Sequence, residues 1–211
     1  MDVKLLHHTP LWVASTAIRK CWASEDKADS LWNIEKQVVR VGSKDKELIH
    51  RVGNKNKHSS TLEHLNYSFD IDGISRACLQ EVARHRHASI SVKSTRYTLK
   101  ELKETEGNLD TFIVAAPSAE VNKNNLVQIG VLQGLLKTGL SNDIAKYSLP
   151  EAYKTSYVWT INARSLQNFL SLRTDKSALW EIRDLAHELF NKLPEEHKYL
   201  FTEFVKERQD V

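Results

Sequence analysis

The segment that most constrains the fold is residues 64–83. Leu65, Tyr67, Phe69 and Ile71 alternate with His64, Asn66, Ser68 and Asp70. That period of two marks a strand over residues 64–71 with one face buried. Asp72-Gly73 ends the strand in this reading, and Ile74–Ala83 then reads as a helix. A half-buried strand must pair in a sheet, and the helix after it must cover apolar surface, so the chain is of the α+β class. The helix also delivers the densest chemistry in the sequence, RHRHASISVKSTRY, at residues 84–97.

The remaining pattern fits one compact unit over residues 1–211. Residues 2–8 read as a short strand, and Pro10 opens a helix running to about Trp22. Residues 24–30 read as a turn. Helices are expected over Leu31–Val41, closed by Gly42, and over Asp45–Val52, closed by Gly53, with residues 54–60 a loop. Residues 88–98 read as loop or strand. Val121–Leu140 reads as a long apolar helix, and Ser141 caps a short one before Leu149-Pro150. Residues 155–161 alternate as a second strand. Apolar spacing places helices over 165–172 and from Ala178 to Leu193, ending at Pro194. Seven glycines and four prolines are a lean supply of turn-formers, which suits a helix-rich protein.

No apolar run approaches the ~18–20 residues that cross a bilayer, so no membrane partner is expected. The N-terminal MDVKLLHHTPLW lacks signal-peptide character. Cys21 and Cys78 read as two reduced, mostly buried thiols of a cytoplasmic protein.

Arg84, Arg86, Lys93 and Arg96 lie with His85, His87, Ser89, Ser91 and Ser94 in one short segment, while the formal net charge is only +3. The positive density is therefore local. Arginine forks and hydroxyls suit phosphate and flat heterocycles. Three readings stand: a solvated surface, a nucleic-acid contact, or a pocket for a phosphorylated ligand. A surface run has no need of interspersed serines. A polymer site would want more positive charge and more stacking aromatics than Tyr97. Ser94 could be imagined as a nucleophile, but no histidine or lysine is placed by sequence to activate it. His64, His85 and His87 lack a carboxylate or cysteine at metal-site spacing, so no metal is assigned.

A second constellation is NARSLQNFLSLR, residues 162–173. Arg164 and Asn168 are four apart and share a helix face. The alternatives are a buried helix whose arginines pair with Glu181 and Glu188, or a helix whose amides orient a planar ring while Arg173 reaches a charged centre. There is no Gly-rich phosphate loop and no nucleophile elbow, so a bound nucleotide would be held by side chains.

RHRHASISVKS, an RHR followed by seven residues and serine, resembles the signature of the flavin-dependent thymidylate synthases, the ThyX family. HSSTLEH (58–64), AKYSLP (145–150) and NARSLQNFLSLR resemble further stretches of that family in its order and spacing. The resemblance implies a twisted β-sheet wrapped by helices. It also implies a homotetramer whose active sites lie between subunits. The implied reaction makes dTMP from dUMP, with methylenetetrahydrofolate as carbon donor, FAD as redox cofactor and NADPH as reductant.

By the same resemblance, Arg84, His85 and Arg86 would contact FAD, with Arg84 also reaching dUMP. Ser60, with His58 close by, would bind FAD from a neighbouring subunit. Asn162, Arg164 and Asn168 would hold the flavin ring and its edge, and Ala163 would also contact the cofactor. Ser94, Thr95 and Arg96 would take the dUMP phosphate, and Lys93 would also bind dUMP. Arg173 would face the uracil and activate it by favouring negative charge on the pyrimidine. Three positions depart from the family pattern. Glu81 stands where many relatives carry glutamine. Val92 replaces a polar residue, so its flavin contact would be through backbone. Lys146 replaces an arginine and would approach dUMP with a point charge.

Overall fold

The computed structural model describes residues 1–33 and 38–208. It is a mixed helix-and-strand fold with an open four-stranded antiparallel sheet, in the order β1-β4-β6-β5. The strands are β1 (Asp2–His8), β4 (Asn66–Ser75), β5 (Ala88–Val92) and β6 (Lys154–Asn162). A separate two-stranded ribbon joins β2 (Leu31–Asn33) to β3 (Val38–Arg40). The helices are α1 (Leu11–Cys21), α2 (Ser43–His50), α3 (Arg76–Val82), α4 (Thr95–Glu104), α5 (Ala119–Lys137), α6 (Asn142–Ala145), α7 (Ala163–Arg173) and α8 (Trp180–Asn191).

The chain forms two compact units. One comprises Met1–Asp2, Ile71–Arg84 and Ile90–Val158; the other comprises Val3–Asp70, His85–Ser89 and the chain from Trp159 onward. In the first, Leu99 and Leu102 of α4 pack with Ile129, Leu132 and Leu136 of α5 and with Tyr153. In the second, Tyr67, Phe69, Trp159, Phe169 and Phe201 are the largest fully buried side chains. Tyr67 and Phe69 share the inward face that the alternation predicts.

Several expectations are corrected. The helix expected over Leu31–Val41 is instead the β2–β3 ribbon, with Leu31 opposite Arg40 and Trp32 opposite Val39; residues 34–37 of that expectation lie outside the described residues. Trp32 and the Val38-Val39 pair are aromatic and β-branched, types that favour pleated backbone. Gly42 closes no helix. A Cβ there would meet Asp29 side-chain atoms at 2.2–2.3 Å, and Asp29 accepts from the N–H groups of Lys44 and Asp45 (both 2.9 Å), capping α2.

Strand β4 also runs past Asp72-Gly73 to Ser75. Gly73 takes φ of +76°, a left-handed value that favours glycine. Buried Ile74 continues the strand beyond it. Helix α4 occupies residues expected as loop or strand, because burial of Leu99 and Leu102 outweighs the weak helix propensity of Thr95, Tyr97 and Thr98. Cys78 is buried, whereas Cys21 is exposed at the end of α1.

Tyr67 donates to, or accepts from, Nδ1 of His197 at 2.7 Å. Burial, reinforced by the nearby His8 and Lys46 charges, pushes His197 down to about 3, so its ring is neutral at physiological pH.

Candidate active site

In the first unit, the expected phosphate-holding residues cluster at the start of α4. Ser94 is the N-cap, and its side chain makes no capping hydrogen bond to α4. Its carbonyl accepts from the N–H groups of Tyr97 and Thr98, both at 3.1 Å. The amides of Thr95 and Arg96 precede these first helical bonds, the arrangement that favours anions at a helix N-terminus. The guanidinium of Arg96 grips Asp143 with both ends, Nε to Oδ1 at 2.7 Å and Nη2 to Oδ2 at 3.3 Å. Asn142 donates to the Arg96 carbonyl at 2.8 Å. A fork that holds two carboxylate oxygens has the geometry for two phosphate oxygens.

Lys93 donates its backbone N–H to Ser156 at 2.8 Å, tying the end of β5 to β6. Its ammonium pairs with Glu101 at 3.0 Å. Beside it lies a cavity of about 440 Å³, lined among others by Lys93, Thr95, Thr98, Glu101 and Tyr153. Burial, then the charge of Glu101, pushes the Tyr153 phenol up to about 12, so it lines the cavity as a neutral hydroxyl. Arg84 lies 3.6 Å from Glu81 one helical turn earlier, and its side chain is exposed. Val92 is exposed at the end of β5, and Lys146 is half-buried just after α6.

In the second unit, Arg173 at the end of α7 donates from Nε to Nε2 of His85 at 2.9 Å. Arginine has no acceptor, so His85 Nε2 carries the lone pair and the imidazole is neutral with its proton on Nδ1. The His85 ring sits edge-on to Phe169 at 4.8 Å, and Phe169 edge-on to Trp159 at 5.0 Å. An aromatic stack rooted in the core thus holds the histidine that orients Arg173.

Asn162 caps α7, its Oδ1 accepting from the Ser165 N–H at 2.9 Å. Ala163 is fully buried and donates its N–H to Leu65 at 2.7 Å. Arg164 pairs with Glu63 at 2.7 Å. Asn168 is exposed on the same helix, and Arg86 is exposed in the segment before β5. His58 and Ser60 are both exposed where the chain enters the 3-10 turn Ser59–His64. The His58 carbonyl accepts from the Thr61 hydroxyl at 3.0 Å, which shapes that turn. Gln167 bonds Asn54 at 3.1 Å and the Leu200 carbonyl at 2.9 Å, anchoring α7 from beneath.

Within each unit, then, the structure joins His85 to Arg173 and gathers Lys93, Ser94, Thr95 and Arg96. Ala163 and Val92 stand apart, one buried and one at a strand end. Sequence reading missed the carboxylates that hold the cations: Glu63, Glu101 and Asp143. Asp143 lies far along the chain from Arg96, so no local spacing signals that pair; Lys93 and Glu101 are close enough in sequence for charge pairing to have suggested it.

Comparison with known proteins gives a consistent result. The family model described as "Thymidylate synthase complementing protein" matches residues 4–197. The flavin-dependent thymidylate synthase of Campylobacter jejuni (strain RM1221) is 57% identical over 208 residues, covering 95% of this chain and 96% of that one. That of Wolinella succinogenes is 56% identical over 208 residues, covering 95% and 97%. A crystal structure of flavin-dependent thymidylate synthase ThyX from Helicobacter pylori, complexed with FAD and dUMP, superposes with a TM-score of 0.89 at 50% identity. It covers 98% of this chain and 100% of that one.

Proposed function

This chain belongs to the flavin-dependent thymidylate synthase family, and we propose that it uses the residues described above to methylate dUMP to dTMP. The observation that carries the site assignment is the Arg173–His85 bond. It joins the RHR segment to the end of α7, the two stretches whose guanidinium groups the reaction needs together.

The donor set suits both ligands. Arg84, Arg86 and Arg164 are exposed. Such cations suit the pyrophosphate of FAD, in a chain without a Gly-rich loop. Asp143 already stands in for an anion on Arg96, and dUMP phosphate takes its place. The Ser94 hydroxyl and the amides at the start of α4 complete that cradle. His58, Ser60, Asn162, Ala163 and Asn168 belong to the flavin side, with Val92 through its backbone; Glu81 and Lys146 belong to the nucleotide side.

Arg173 faces the uracil. Its fixed positive charge favours negative charge developing on the pyrimidine, which makes the ring carbon more nucleophilic. His85 keeps the guanidinium plane from turning away. FAD, when bound, supplies the redox chemistry, with NADPH as its reductant and methylenetetrahydrofolate as the carbon source.

We further propose that residues 1–211 act as one thymidylate synthase domain, assembled as a cytoplasmic homotetramer with shared sites. The near full-length family match supports the single domain. The exposed His58–Ser60 turn, available to a neighbouring copy, supports sharing. Val127 and Val131, four apart on α5, are 59% and 58% exposed, an apolar stripe suited to burial between subunits. Among the described residues no helix is long and apolar enough to cross a membrane.

The test is a turnover assay. Purified protein given dUMP, methylenetetrahydrofolate, NADPH and FAD should form dTMP. Formation of no dTMP, with the protein folded and flavin bound, would overturn the assignment.

A further inference from the structure

We propose that His8, Glu196 and His197 form a binding site for one divalent first-row transition ion of the zinc class. His8 ends β1, and Glu196-His197 sit in the 3-10 turn Glu195–Leu200 near the other end of the chain. One ligand atom from each of the three lies within 4.8 Å of the other two. The imidazole rings of His8 and His197 meet edge to face, with centroids 5.0 Å apart. No residue here takes part in the site described above.

The central observation is His197. Its side chain is fully buried, yet among the described residues Nε2 has no hydrogen-bond partner. Glu196 Oε1 lies 3.8 Å from it, outside hydrogen-bond reach. A buried polar atom without a partner is costly, and it calls for an explanation such as an ion or a water. The other ring nitrogen meets the hydroxyl of buried Tyr67 at 2.7 Å. That bond fixes the ring, and when the histidine donates to the tyrosine the lone pair is left on Nε2, facing His8 and Glu196. This is the outer-shell arrangement typical of metal-ligating histidines.

The donor set selects the ion. Two imidazole nitrogens and one carboxylate suit zinc and its neighbours, whereas magnesium and calcium want oxygen-rich cages. Binding at zinc distances needs ligand atoms ~3.3 Å apart, so the three must close by roughly an ångström. Glu196 is exposed and His8 only half-buried, so both can make that movement and an ion can enter from solvent. Three protein ligands leave a fourth position for water. The ion would clasp the end of β1 to the turn after Pro194, a stabilising role independent of turnover.

The experiment uses full-length, tag-free protein stripped with a chelator and titrated with Zn²⁺ by calorimetry. Thermal unfolding is followed in parallel, and Co²⁺ serves as a spectroscopic probe. The expected result is one ion per chain, a higher melting temperature with Zn²⁺, and visible Co²⁺ bands of low-coordinate geometry. His8→Ala and Glu196→Gln should each weaken Zn²⁺ binding by about tenfold or more. Absence of stoichiometric binding by the wild type would overturn the proposal. So would variants that bind as tightly as wild type, the ion then sitting on others of the nine histidines. Glu196 is exposed, so Glu196→Gln keeps the test decisive should His8→Ala fail to fold.

Discussion

Arg173 Nε donates to His85 Nε2 at 2.9 Å, and the same histidine ring rests edge-on against Phe169. The arginine proposed to face the uracil is thus held by a histidine that packs into the core. Arg173→Ala should abolish dTMP formation while flavin stays bound. His85→Ala removes a hydrogen bond to a charged group, worth about 1.5–3 kcal/mol, and should lower kcat by roughly 10–100-fold. His85→Gln, which can restore an acceptor, should recover part of that loss. Steady-state kinetics with a flavin-content measurement checks all three. Equal losses in Ala and Gln variants would assign His85 a packing role alone.

In the proposed site, Asp143 competes with the dUMP phosphate for Arg96. The pair is exposed on both sides, 57% and 57%, so breaking it costs at most about 1 kcal/mol of stability. Asp143→Asn should tighten dUMP binding by up to about fivefold, read by calorimetry. Weaker binding would mean that Asp143 aims the guanidinium at the nucleotide.

Ser94 makes no capping bond to α4 through its side chain. Ser94→Ala should therefore leave the melting temperature nearly unchanged while raising the Kd for dUMP, with measurable turnover remaining. Complete inactivity at normal dUMP affinity would instead make Ser94 a nucleophile.

Away from the site, Asp45 is 1% exposed and holds the Arg19 guanidinium, with Nε to Oδ1 at 2.8 Å, and the backbone N–H of Ser30 at 3.1 Å. Asp45→Asn leaves Arg19 buried without its counter-charge and should cost about 3–5 kcal/mol in urea unfolding. The dUMP affinity of the folded fraction should stay the same. A loss under about 1 kcal/mol would show that solvent reaches the pair.

Elements with a strong period were legible in the sequence. The alternation around Tyr67 and Phe69 and that around Tyr157 and Trp159 became β4 and β6, and the apolar spacing after Asn162 became α7. The β2–β3 ribbon was not legible, because a short run mixing Leu31, Trp32 and valines suits a helix or a strand, and pairing decides between them. Helix α4 was hidden by Thr95, Tyr97 and Thr98, whose poor propensity is overridden by packing on α5. At the site, the cations came from motif and residue chemistry. Their carboxylate partners Glu63 and Asp143 came only from the fold, since pairs so distant in sequence leave no periodic trace. His197 had no signal at all: it is buried by the C-terminal turn and bonded to a tyrosine of β4.

The most direct test of the central claim is the absorbance spectrum of the purified protein loaded with FAD, recorded before and after adding dUMP. If one site holds the flavin against the nucleotide through Arg173 and its neighbours, the bound-flavin bands should shift on dUMP addition, and Arg173→Ala should keep the bands but lose most of the shift. Retention of no flavin by the wild type, or a flavin spectrum indifferent to saturating dUMP, would contradict the account.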